Sequence, residues 1–148
     1  MMTASETNDA KIYAEEFLEI ARDGVPYVGQ LGLSVEVWEA GHVVLRLPYS
    51  ELIRRPGGTI CGPALMGLAD VALYGVVMSL LGRIELAVTT DLTFHFLSKP
   101  EPMDVLAEAR IIKLGRRLAV GEVSMTSEGK ARPICQAVGS YAIPPAID

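Results

Sequence analysis

Cysteine is nearly missing from this chain. Cys61 and Cys135 are the only two, far apart and without metal-ligand spacing. That excludes a zinc-type cluster and a disulfide framework, and it suits a reducing cytoplasm. Histidine is as scarce, with His42 and His95 on separate strand-like segments. There is no GxSxG elbow, and the Gly57-Gly58 pair lacks the Lys-Ser/Thr of a phosphate-binding loop. No basic run occurs, and the net charge of −5 gives no general affinity for nucleic acid or an acidic membrane. The N-terminus MMTASETNDA has no apolar segment, so no signal peptide is expected and residues 1–8 are expected to be disordered. Without repeats or low-complexity tracts, 1–148 reads as a single domain.

Apolar residues, by contrast, make up 50% of the chain, rich enough to imply that some are buried by a partner chain. They concentrate between Gly57 and Gly82, GGTICGPALMGLADVALYGVVMSLLG, where Asp70 is the only charged side chain. Residues 63–81 predict a helix of about five turns, with Pro63 in its first turn and Gly82 at its stop. A helix apolar on every face must be buried on every face. A central Asp, the glycines at 62, 67, 75 and 82 and several alanines fit close packing in a protein core better than lipid. A buried carboxylate needs a polar partner or a wet cavity beside it. Asp70 is therefore either a structural anchor or a catalytic base, and its position alone favours neither.

Around this stretch, residues 9–22 (DAKIYAEEFLEIAR) predict an amphipathic helix, and 24–32 a connector. The period then becomes two. Leu33, Val35 and Val37 share one face of a strand, and Val43, Leu45 and Leu47 one face of the next, making a hairpin. After a loop over 48–58 and the long helix, the strand around Val88 places Val88, Leu92, Phe94 and Phe96 opposite Thr89, Asp91, Thr93 and His95. Strands at 103–113, 118–126 and 134–143 follow, giving four strands in a meander. The class is α+β: an antiparallel sheet wrapped around one long helix.

That layout, with the motifs GTICGPALMGLAD, TTDLTFHFL and DVLAEARIIKLGRRLAVGEV, resembles the hot-dog fold acyl-CoA thioesterases, in their phenylacetyl-CoA thioesterase-like branch. The resemblance covers about residues 30–143. Leu68-Ala69-Asp70 matches a family triplet, while Arg55-Pro56 stands where Asn-Pro is usual and Cys61-Gly62-Pro63 where His-Gly-Gly is usual. It implies hydrolysis of an acyl- or aryl-acyl-CoA thioester in the cytoplasm, by a homodimer or homotetramer, without metal or cofactor beyond the CoA of the substrate. In that reading Asp70 is general base or nucleophile. Gly62 offers its backbone N–H, at the positive end of the helix, to the developing oxyanion.

Spacing adds a condition. Gly62 and Asp70 lie about 12 Å apart along a helix, so one helix cannot bring both to one carbonyl carbon. Two antiparallel copies across a two-fold can. Thr89 aligns with a hydroxyl that positions the water in some relatives, or it is an interface threonine. Arg55 either contacts substrate in place of the usual Asn or is solvated. Arg116 and Arg117 hold CoA phosphates or make a soluble turn. Cys61, at a helix N-terminus, is a space-filling residue or a nucleophile. The alternative to an enzyme is a non-catalytic hot-dog protein that binds a CoA ester or acyl chain.

Overall fold

The computed structural model describes residues 9–145, so the disorder expected for 1–8 lies outside the described residues. Helix α1 spans Ala14–Gly24, starting later than its sequence pattern suggests. The residues before it are held by tertiary bonds instead: Lys11 N–H donates to the Ser79 carbonyl at 2.9 Å, and Trp38 Nε1 donates to the Ile12 carbonyl at 2.9 Å. The expected connector over 24–32 contains a short helix, α2 (Pro26–Leu31), opened by Pro26 and closed by Gly32 at φ 71°. Six residues are too few to show a helical period, but the Pro start and Gly stop were there to be read.

Strands β1 (Ser34–Glu39) and β2 (His42–Leu47) form the expected hairpin. A bulge between Val35 and Val37 turns Val37 outward, so Leu33 and Trp38 are the buried residues of this segment. The loop to α3 (Gly62–Leu81) carries one 3-10 turn at Glu51–Ile53. Strands β3 (Val88–Phe96), β4 (Val105–Leu114), β5 (Leu118–Ser127) and β6 (Pro133–Ala142) complete one antiparallel sheet of order β1-β2-β4-β5-β6-β3. The four last strands are therefore not one meander. Only β4, β5 and β6 are; β3 pairs with β6 at the far edge. The intervening helix, about 30 Å long, carries the chain across the sheet before β3 begins.

Helix α3 lies on the inner face of the sheet, with Leu65, Leu68, Ala69, Ala72, Val76 and Met78 buried. Leu73 reaches between β5 and β6, where Gly121 and Gly139 are cross-strand partners. A Cβ on either glycine would come within 2.7 Å of a Leu73 methyl. By length and composition α3 passes for a membrane span, yet 67% of its most apolar window is buried in the fold. The expectation of burial on every face fails within one chain: Pro63 and Met66 are not covered, and Gly67, Asp70 and Tyr74 are half-buried at most. These positions fall on one helical stripe that the sheet does not cover.

Candidate active site

Three elements converge on Asp70. Along β3 a bulge between Thr89 and Asp91 resets the alternation, placing Thr89 beside Tyr141 and Leu92 beside Gly139. Thr89 thereby faces the helix with Leu92, Phe94 and Phe96, while Val88 turns away. This corrects the expected grouping, which a strict period of two put the other way round. The consequence is a hydrogen bond of 2.6 Å from Thr89 Oγ1 to Asp70 Oδ1. From β6, the Tyr141 hydroxyl lies 2.5 Å from the same Oδ1 and 2.9 Å from the Asp70 backbone carbonyl.

Burial, and then the charge of Asp70, push the Tyr141 phenol well above its ordinary range, so it remains a donor at neutral pH. Its ring stacks on Tyr74 at 5.9 Å between centroids. The Tyr74 hydroxyl in turn donates to the Glu85 carbonyl at 2.9 Å. Asp70, Thr89, Tyr74 and Tyr141 line an open cleft of about 370 Å³, otherwise walled by Ala21, Val25, Val28, Val71, Ala87 and Val88, with Glu85 at its edge. No basic residue is among those lining it.

Gly62 lies at the other end of α3's first turns, in a different cleft. It shares about 530 Å³ with Arg55, Thr59, Ile60, Leu65, Phe96, Leu97, Ser98, Lys99 and Pro100, none of which lines the Asp70 cleft. Cys61 takes an extended conformation before the helix, half-buried and with no side-chain capping bond. As the first helical residue, Gly62 has an N–H without an intrahelical acceptor. A Cβ at Gly62 would stand 3.3 Å from the tip of the Phe96 ring, which is more than half exposed and would have to give by a few tenths of an ångström. Arg55 is exposed at the rim, beside Gly62 and Lys99.

The structure thus brings Asp70 and Thr89 together, and groups Gly62, Cys61 and Arg55 at a separate place. Arg116 and Arg117 line neither cleft. They are exposed on the β4–β5 turn, where the Ile143 N–H donates to the Arg117 carbonyl at 2.9 Å. Register puts that row level with Ala87, two strands away. Sequence reasoning missed Tyr141, Tyr74 and Lys99. No group of three metal-ligating side chains occurs among the described residues.

The model of the thioesterase superfamily matches residues 57–134. A provisionally designated esterase of Halobacterium salinarum is 30% identical over 96% of this chain and 97% of its own length. Among solved structures, a provisionally designated thioesterase from Silicibacter sp. TM1040 is 38% identical, covering 92% of this chain and 94% of that one, with a TM-score of 0.83. A mutant of the phenylacetic acid degradation protein PaaI from Thermus thermophilus is 26% identical, covering 80% and 99%, with a TM-score of 0.70.

Proposed function

From the premise that this chain belongs to the thioesterase superfamily, we propose that it hydrolyses an acyl- or aryl-acyl-CoA thioester, at a site shared by two subunits. The observation that carries the reading is the Asp70 carboxylate, alone in an apolar helix, held by two hydroxyls at the wall of an apolar cleft. The acyl group lies among Val28, Val71, Ala87 and Tyr74. Asp70 takes a proton from a water that adds to the carbonyl carbon, or adds to that carbon itself and is then released by water. Thr89 orients the water. The oxyanion is received by the Gly62 N–H of the second subunit, and the CoA thiolate leaves and is protonated.

Two features support the shared site. Asp70 and Gly62 open into clefts with no residue in common. The stripe that carries Met66, Gly67 and Asp70 is also only partly covered, and the neighbouring edge strand β3 exposes Val88 and Phe96. A second copy laid antiparallel on that stripe covers it and brings each Asp70 towards the other chain's Gly62. Arg55 and Lys99, beside Gly62, then meet the CoA arm, with Arg116 and Arg117 as further phosphate contacts. Two unpaired thiols suit a cytoplasmic home.

The test is CoA release over a panel of short, long and aromatic acyl-CoAs. Asp70→Asn should lower kcat by about two to four orders of magnitude with KM little changed. Mixing it with Gly62→Pro, which lacks the N–H, should restore about a quarter of wild-type activity after subunit exchange, since a heterodimer holds one intact site. Full turnover in Asp70→Asn would end the reading, and proven exchange without recovery would end the shared site. Binding of acyl-CoA without turnover by the wild type would favour a carrier.

A further inference from the structure

We infer that Tyr141 is a positioning residue of the hydrolytic step: it fixes the Asp70 carboxylate so that Oδ2 alone meets the substrate. The inference rests on the reading of Asp70 as base or nucleophile. Both side-chain donors that reach Asp70 reach one oxygen. Tyr141 lies 2.5 Å and Thr89 2.6 Å from Oδ1, while no described residue bonds Oδ2. Among the described residues no buried side-chain polar atom is left without a partner, so Oδ2 is open to the cleft. An aspartate kept only to anchor the fold gains most by spreading bonds over both oxygens. Here one oxygen is saturated and the other left free.

The phenol also lies 2.9 Å from the Asp70 backbone carbonyl, so a single hydroxyl ties the side chain to its own helix turn. Its ring is buried and backed by Tyr74, which is pinned in turn to the Glu85 carbonyl. The carboxylate therefore has little freedom about its last torsion. Glu85 is the other ionisable acid lining the cleft; Thr89 from β3, Tyr141 from β6 and Tyr74 from α3 supply the hydroxyls. The α1–α2 side contributes only Ala21, Val25 and Val28.

The experiment is Tyr141→Phe, which keeps the ring and its stacking. The expected result is a fall in kcat of roughly ten- to thirty-fold with KM within about twofold. The acid limb of the kcat/KM profile should also move to higher pH, because a donor to the charged form has gone. A lower Tm with an unmoved acid limb would make Tyr141 an ordinary core residue and overturn the inference, as would unchanged kcat. Should Tyr141→Phe fail to fold, 3,5-difluorotyrosine at position 141, a stronger donor of nearly the same size, should move the limb to lower pH. An unmoved limb there overturns the inference too. Asp70→Asn separates the two levels: if it is inactive while the Tyr141 limb stands still, only this inference fails. If it is active, the reading of the reaction fails first.

Discussion

Gly139→Ala tests how tightly the helix bearing Asp70 is seated. The added Cβ would lie 2.7 Å from Leu73 Cδ1, 3.0 Å from Leu92 Cδ1 and 3.0 Å from the Asp91 carbonyl. Carbon atoms rest about 3.5–4.0 Å apart, so Leu73 must retreat by about 1 Å. Rotation gives little relief, because its other methyl already fills the space above Gly121. Overpacking of this kind costs about 1–3 kcal/mol. For a chain of this length, about 2 kcal/mol corresponds to a fall in Tm of roughly 4–8 °C. Urea unfolding followed by fluorescence of Trp38, the only tryptophan, reads the cost directly. Leu73→Ala alone should cost about 3 kcal/mol through its cavity. In the double variant the new methyl refills part of that space, so the two costs should sum to about 1–2 kcal/mol less than additivity. Near Leu73 the rings of Phe17 and Trp38 crowd Gly75, which resists a shift of α3. Leu73 should therefore yield rather than the helix, leaving the Asp70 bonds intact and kcat within a few-fold. A stability within about 0.5 kcal/mol of wild type, or an additive cycle, would refute this packing.

Two further outcomes follow from named groups. The Tyr49 N–H at 2.9 Å and Arg46 Nη1 at 2.8 Å hold the Asp104 carboxyl below its ordinary range. A depressed folded value stabilises fully above the unfolded value of about 4 and is lost as pH falls through the folded one. Asp104→Asn should cost about 1 kcal/mol at pH 7 and make urea midpoints fall less steeply as pH drops below about 4; an unchanged slope contradicts the clamp. Burial pushes the Cys135 thiol up to about 11. In Cys61→Ser, where Cys135 is the sole thiol, a disulfide reagent at about pH 8 should react only after denaturant is added, and turnover should stay within a few-fold. An acyl adduct on wild-type Cys61 together with a dead Cys61→Ser would instead make that thiol the nucleophile.

Much of the fold was legible because two periods are distinct. A run of 20 residues with Asp70 as its one charge became the helix Gly62–Leu81, β5 alternates along its whole length, and β4 does so as far as Arg110. The sheet order was not legible, since consecutive strands look alike whether or not they pair. The bulges at Val35/Val37 and Thr89/Asp91 were hidden for a related reason: one extra residue inverts a face without changing composition. Asp70 stood out as the lone charge in its helix, and Gly62 entered through the family motif. Tyr141, 71 residues beyond Asp70, carries no local signal, because only the packing of α3 on β6 brings it to the carboxylate.

Helix packing gives a reason why the proposed chemistry is divided along α3. A helix about 30 Å long packed on one curved sheet can bury only the side that faces the sheet. The remaining stripe must be covered by something else or left wet, and α1 and α2 cover only part of it: a Cβ at Gly67 would come within 3.3 Å of the Tyr27 ring, while Pro63 and Met66 stay uncovered. Asp70 occupies this stripe because a fully enclosed carboxylate would be too costly, whereas one at the margin of the core can be held on one oxygen and open on the other. Gly62 must remain at the helix start, where an N–H is free and the helix dipole is positive. On the proposed reading each demand is met at its own place on the helix, Asp70 midway and Gly62 at the start, so neither place is a complete site by itself. In the proposed reaction an antiparallel second helix answers both problems at once, sheltering the stripe and joining a carboxylate to an N–H.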